Sequence, residues 1–320
     1  MKILNSADWH IVLNKKKVPY EWQEERFIML FEKLRELEKD VDVHIISGDI
    51  FDKAPNTDET CLVLSYLNSV TIPTIIIPGN HSSTKKGHSF WESFERENAI
   101  TNSNIHLFTK NGRVKVLDQW FQCFPYGEMQ VGNLPEFIED DILVTHIRGE
   151  VPPHITAEYD FEKIRPWKLT LIGDLHFNHQ YKDFNVFYPG SPVNTTFDRL
   201  ENREYGVDMF TVDGSTFSKQ FIDLKLPKLL RKTVKSIEAM VEDPYNHVIY
   251  EITGSLDDLA KIKNSSLLDK KLVDTPSSNS KLNLADKSIY EELAVYLKYK
   301  KISNTKAVLE EFTNSYTGEL

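Results

Sequence analysis

Short clusters of metal-ligating residues recur along this 320-residue sequence, each at the end of an apolar run. They are Asp8-Trp9-His10, Gly48-Asp49-Ile50-Phe51-Asp52, Gly79-Asn80-His81, Thr145-His146 and Gly173-Asp174-Leu175-His176. Carboxylate oxygen suits hard divalent cations, and imidazole suits manganese, iron or zinc. A mixed Asp, Asn and His set therefore points to one of those three ions rather than to magnesium alone. Delivered from several strand ends, such a set can hold two cations about 3.5–4 Å apart, an arrangement that hydrolyses phosphate esters. The departing alkoxide also needs an acid or a charge stabiliser close by. One block alone says little, because Asp and Asn also favour caps and turns. The whole set in this order is specific.

The elements that must position these blocks are legible as alternating strands and helices, followed by mostly strands. Residues 2–7, 43–47 and 74–77 read as buried strands. Phe27, Leu30, Phe31, Leu34 and Leu37 recur at i, i+3, i+4 spacing and predict a helix over about 21–38. A second helix is expected near 58–69, and Pro78-Gly79 is a strong turn signal. Short strands are expected near 105–108, 113–117, 120–124, 141–145, 169–172, 185–188, 206–212 and 217–222. The strand–helix–strand units imply parallel pairing and the later strand runs antiparallel pairing. The fold class is α/β (α+β), a two-layer sheet core flanked by helices.

Residues 1–225 read as the main domain, and the basic stretch 225–235 with Pro227 marks its end. A small unit follows at 226–274, with Ser236 and Ser255 as expected helix caps and 247–253 as a strand. Residues 275–287, rich in Ser, Asn and Lys, read as a linker. Within 288–320, Ser288 and Glu291 suggest a capping box, with Ile289, Leu293, Tyr296 and Leu297 on one helix face. A second short helix is expected from Asn304.

The formal net charge of −10 argues against a strongly basic nucleic-acid binder, yet not against a nucleic-acid substrate. Bound cations offset clustered carboxylates, and that count omits them. No apolar run is long enough for a membrane span, and the first residues lack the shape of a signal peptide, so a cytosolic location is expected. Cys61 and Cys123 stand in apolar stretches and are expected to be reduced and buried. His44 is expected to pack or bond within its strand, and Trp22, Phe90, Trp91 and Phe94 to be core residues.

The order DWH, GDIFD, PGNH, VTH, GDLH and YPGSP resembles the calcineurin-like metallophosphoesterases, and within them the SbcD-type nuclease subunits in a bacteriophage form. The resemblance covers about residues 1–225 well and the remainder only in layout. It implies a first metal on Asp8, His10, Asp49 and His176, with Asp49 bridging to a second on Asn80, His146 and Asp174. Manganese is the expected ion, with magnesium as the alternative. His81 would face the scissile phosphate as the catalytic residue, with Asp52 beside it as a partner behind the ligands. The implied activity is exonuclease on double-stranded DNA and endonuclease on single strands. The unit at 226–274 would cap DNA, and the C-terminal helices would bind an SbcC-like ATPase. A homodimer within a heterotetramer is implied, with its contacts in the first 110 residues. This chain has no Gly-x4-Gly-Lys-[Ser/Thr] loop of its own for ATP.

The sequence bears on the family pattern in three places, one of them Asp52, where some relatives carry a His and others an Asp. Asp174 stands where a His is usual and adds a negative charge; Ser82 stands where an Asp usually orients the preceding His. Lys15, Lys16 and Lys17 follow the first ligand pair, and Lys85, Lys86 and His88 follow His81; all are candidate DNA contacts. Asp52 is followed by Lys53-Ala54, so the phosphate-binding Arg of the protein phosphatases is missing. The alternatives are a small-molecule phosphodiesterase of the same superfamily and a non-catalytic scaffold.

Overall fold

The computed structural model describes residues 1–82, 89–130, 132, 136–150, 156–181, 183–263, 265–273 and 289–315. Lys85, Lys86, His88, Ser288 and the expected linker 275–287 lie outside the described residues.

The chain opens with β1 (Lys2–Ser6), α1 (Tyr20–Glu38), β2 (Val43–Ile46), α2 (Thr57–Ser69), β3 (Thr74–Ile76), α3 (Phe90–Arg96) and β4 (Ile105–Leu107). Then come β5 (Gly112–Val116), β6 (Gln119–Phe124), β7 (Ile142–His146), β8 (Leu169–Gly173), β9 (His179–Gln180) and β10 (Val186–Tyr188). The hairpin β11 (Gly206–Asp213) and β12 (Thr216–Asp223) closes this part. One sheet runs β12-β11-β1-β2-β3-β4 and the other β5-β6-β7-β8-β10-β9. β1 to β4 are mutually parallel, and so are β6, β7, β8 and β10. The outer strands β11, β12, β5 and β9 pair antiparallel.

The period-two alternation of the central strands explains the layering. Ile3, Val43, Ile45 and Ile75 face Phe121, Ile142, Val144, Leu169 and Leu171 of the other sheet. Their neighbours Leu4, Ile46 and Ile76 face outward, against Phe27, Leu30, Leu34, Val63, Leu67 and Trp91 of α1, α2 and α3. The far side of the second sheet is covered by Phe161, Ile164, Trp167, Tyr181 and Phe184 packed on Leu143, Ile172 and Val186. This is a two-layer sheet core flanked by helices, the architecture read from the sequence.

β13 (Leu229–Val234), β14 (His247–Gly254) and β15 (Leu268–Val273) form a third sheet, in that order. The fully buried Arg26 of α1 ties the start of this segment to the main core. It donates to Pro227 O at 2.8 Å, Asn194 O at 2.9 Å and Asn194 Oδ1 at 2.6 Å. The helices α4 (Leu256–Lys261), α5 (Ile289–Tyr299) and α6 (Thr305–Ser315) complete the described α-helices. The chain divides into two compact units, Met1–Glu251 with Asn264–Lys270, and Ile252–Lys263 with Lys271–Leu320. No described helix is long and apolar enough to cross a membrane.

Two sequence expectations are corrected here. Cys61 is exposed, because on α2 the buried face is Val63, Tyr66 and Leu67; only Cys123 is buried. Ser236 caps no α-helix: Ile237–Ala239 is a single 3-10 turn without a side-chain cap. Ile237 and Val241 remain 44% and 63% exposed, so no apolar face is packed to stabilise a longer helix.

Candidate metal centre

All five ligand blocks leave the C-terminal ends of parallel strands, at one edge of the sandwich. β1 and β2 stay zipped beyond their ends through Asp8 N to Gly48 O, His10 N to Asp49 O and Ile11 N to Ile50 O. Several residues of the centre take left-handed backbone: φ is 55° at Asp8, 47° at His10, 50° at Asp49 and, beyond β8, 108° at Asp174. Such conformations persist only where the surroundings over-determine them, and they cluster at functional sites.

Glycines make room for the crossing. A Cβ on Gly48 would lie 2.2 Å from His146 Nδ1, and one on Gly79 would lie 2.2 Å from Asp49 Oδ1. The YPGSP segment also belongs here: Ser191 Oγ donates to Asp8 O at 2.5 Å, and Gly190 lies against the backbone of Phe177 and Asn178.

Three overlapping groups of ligand atoms converge: Asp8, His10 and His176; His10, Asp49 and His81; and Asp8, Asp49 and His146. Two donors each about 2.1 Å from one ion stand roughly 3–4 Å apart. The observed spacings match. His10 Nε2 is 3.8 Å from Asp8 Oδ1 and 3.9 Å from Asp49 Oδ2. His146 Nε2 is 3.4 Å from Asp49 Oδ2, 3.3 Å from Asn80 Oδ1 and 3.9 Å from Asp174 Oδ1.

Each imidazole is oriented from behind. His146 Nδ1 donates to Ser47 O at 2.7 Å and His81 Nδ1 to Asp52 O at 2.5 Å. His176 Nδ1 is 3.1 Å from Thr195 Oγ1, and His10 Nδ1 is 3.4 Å from Asp52 Oδ1. Every Nε2 is thereby left for the centre, the arrangement metal-ligating histidines adopt. Both nitrogens of the buried His10 lack a hydrogen bond. A buried polar atom without a partner is costly, and a cation on Nε2 would satisfy it. The residues present thus fit divalent cations.

Asp52 touches the centre only indirectly: its carboxylate backs His10 and its carbonyl holds His81. Ser82 does not orient His81; it is buried and accepts from Trp91 Nε1 at 3.2 Å. Lys15 and Lys16 line a cavity of about 410 Å³ with Asp52, Lys53, Phe197 and Arg231. Lys17 does not join them, because its ammonium is paired with Asp269. A larger cavity of about 790 Å³ lies at the other end of the strands, by Met1, Trp120 and Lys168, and contains none of these ligands. Sequence reasoning missed Arg148, Ser47 and Thr195. Arg148 donates from Nε and Nη2 to Asp174 at 2.6 and 3.0 Å.

The description "calcineurin-like phosphoesterase" matches residues 1–166, more than half of the 320-residue chain. The chain belongs to the calcineurin-like phosphoesterase family. A protein of Escherichia phage T5 described as "Probable exonuclease subunit 1" is 36% identical over 307 residues, spanning 93% of this chain and 92% of that one. Among solved structures, the chain is similar to YfcE, a phosphoesterase from E. coli, at 16% identity over 70% of this chain and 94% of that chain, with a TM-score of 0.35. TT1561 of Thermus thermophilus is 12% identical over 70% of this chain and 99% of that chain, with a TM-score of 0.41.

Protonation sets how this calcineurin-like centre takes up cations. Burial disfavours the imidazolium of His10, but Asp52, Asp8 and Asp49 outweigh it and hold the pKa up to about 9. Burial opposes the charge on His146 likewise, and Asp49 chiefly lifts it to about 10. Asp49, pushed up by burial and pulled down further by His146, settles at about 2. Both imidazoles lie above their ordinary 6.5, so their contribution to the stability of the metal-free protein is fully present below pH 6.5. It is lost as pH rises through about 9 and 10. A cation must displace those protons. Mn2+ affinity, read by titration calorimetry between pH 6.5 and 9, is therefore expected to rise by about tenfold per pH unit for each proton displaced. A flat profile would remove these imidazoles from the ligand set.

Proposed function

We propose that this chain is the nuclease subunit of a DNA recombination and repair complex, hydrolysing phosphodiesters at a two-metal centre. The observation that carries the reading is the overlap of the three ligand groups, which share Asp8, His10 and Asp49. The 36% identity across 93% of the chain with a phage protein described as an exonuclease subunit supports DNA as the substrate.

One cation would rest on Asp8, His10 and His176, and the other on Asn80, His146 and Asp174, with Asp49 between them. Divalent cations there supply Lewis-acid activation of the phosphodiester and of the attacking water. Manganese is the ion best matched to the mixed oxygen and nitrogen donors, with magnesium the alternative. His81 stands at the exposed rim with its ring 4.7 Å from that of His10. Its Nδ1–H is committed to the Asp52 carbonyl, so Nε2 is the nitrogen left to serve the departing sugar oxygen.

Lys15, Lys16 and Lys53 line the cavity beside Asp52 and are suited to the phosphates of the bound strand. Residues 226–274 would cap the DNA, and the helices α5 and α6 would dock on an SbcC-like ATPase, within a complex built on a homodimer. Exposed Tyr290, Tyr296 and Tyr299 give those helices aromatic surface for a partner.

The test is cleavage of end-labelled double- and single-stranded DNA, with Mn2+ and with Mg2+, alongside a small chromogenic phosphodiester. Release of short DNA products is the expected result. Turnover of the small diester with intact DNA would favour the small-molecule phosphodiesterase instead.

A further inference from the structure

Asp174 is held differently from the other carboxylates of the centre. Its backbone N–H is aimed at both oxygens of Asp8, at 3.2 and 3.1 Å. Its own carboxylate is gripped from outside by a single guanidinium. Arg148 Nε donates to Oδ2 at 2.6 Å, and Nη2 donates to Oδ1 at 3.0 Å. A planar fork of this kind fixes both oxygens together, which an ammonium cannot do. Oδ1 still faces inward, 3.9 Å from His146 Nε2. A carboxylate oxygen accepts at more than one position, so Oδ1 can keep Nη2 and serve a cation as well.

The charges point the same way. Asp8, Asp49 and Asp174 are all buried around one small volume. Among the described residues, Arg148 is the arginine bonded to a carboxylate of this cluster. It stands two residues beyond His146, so the loop that delivers one donor also delivers the clamp on another. The Arg148 side chain is 36% exposed, and its truncation opens no cavity in the core.

We infer that Arg148 is a positioning residue of the metal centre: it aims Asp174 Oδ1 at the second cation and balances the charge that this carboxylate adds. The inference rests on the two-cation reading above. Asp174 and Arg148 then act as one unit, equivalent in charge to a neutral donor.

Calorimetric titration with Mn2+ in the absence of DNA, with the electron paramagnetic resonance signal of the coupled ion pair as a second readout, tests this. Arg148→Ala is expected to weaken the second Mn2+ by about tenfold or more and to suppress the coupled signal, as losing the partner of a ligand does. Arg148→Lys should recover only part of that loss. In Asp174→His the neutral imidazole needs no counter-charge, and Arg148 becomes an unbalanced cation beside it. Asp174→His with Arg148→Ala should therefore bind the second Mn2+ more tightly than Asp174→His alone. An unchanged or tightened second site in Arg148→Ala would overturn the inference, as would a double variant no better than Asp174→His. Wild-type protein that takes up only one Mn2+ would overturn both the two-cation reading and this inference. Two bound Mn2+ without DNA cleavage would sink the nuclease reading alone.

Discussion

Replacing His81 with asparagine is expected to slow DNA cleavage by about 10²–10⁴-fold, the range supplied by a positioned proton donor. Cation uptake and thermal stability should be unchanged, because His81 is an exposed residue at the rim of the centre. His81 also belongs to a ligand group with His10 and Asp49, so the experiment needs both readouts. Cleavage within about threefold of wild type would remove His81 from the chemistry. Loss of one bound Mn2+ would make it a ligand instead of a proton donor. The backbone carbonyl of Asp52 sharpens the expectation, since it fixes the ring through Nδ1 and leaves one nitrogen to act.

The second large effect is expected from Gly173→Ala. A Cβ there would lie 2.1 Å from Ser47 O and 2.5 Å from His146 Nδ1, between the two partners of a hydrogen bond. Neither is the end of a flexible side chain, so the two sheets have to part. Overpacking and a broken buried hydrogen bond together cost about 3–4 kcal/mol. Chemical denaturation of chelator-treated protein reads this directly, and the displaced His146 should weaken Mn2+ uptake in parallel. Gly214→Ala is the control: φ is +57° and nothing lies within 4 Å, so only about 1 kcal/mol of backbone strain is expected. Equal effects of the two substitutions would show that the crowding at Gly173 is tolerated.

The candidate donors were legible because each of them sits in a short block at the end of an apolar run. Asp8, His10, Asp49, Asn80, His146, Asp174 and His176 are brought to one edge of the sandwich, as those blocks suggested. What orients them was hidden. Ser47 acts through its backbone carbonyl, which carries no sequence signal; Asp52 was expected behind the ligands, but not the hold of its carbonyl on His81. Arg148 was in view, two residues past a ligand, but its role depends on β7 and β8 lying side by side. Asp174 alone implied an added negative charge; the structure sets the Arg148 guanidinium against it. Lys17 was grouped with Lys15 and Lys16 because they are contiguous, whereas its partner Asp269 lies 252 residues away. Cys61 was misjudged by reading an apolar stretch without its helical phase.

The donors come from both layers of the sandwich. Asp8, His10, Asp49 and Asn80 follow strands of one sheet, while His146, Asp174 and His176 end or follow strands of the other. Ions held there would therefore work as rivets across a seam, stabilising the joined layers in proportion to their affinity and concentration. Shape and chemistry would then share one control: whatever strips the ions would loosen the seam as it silences the site.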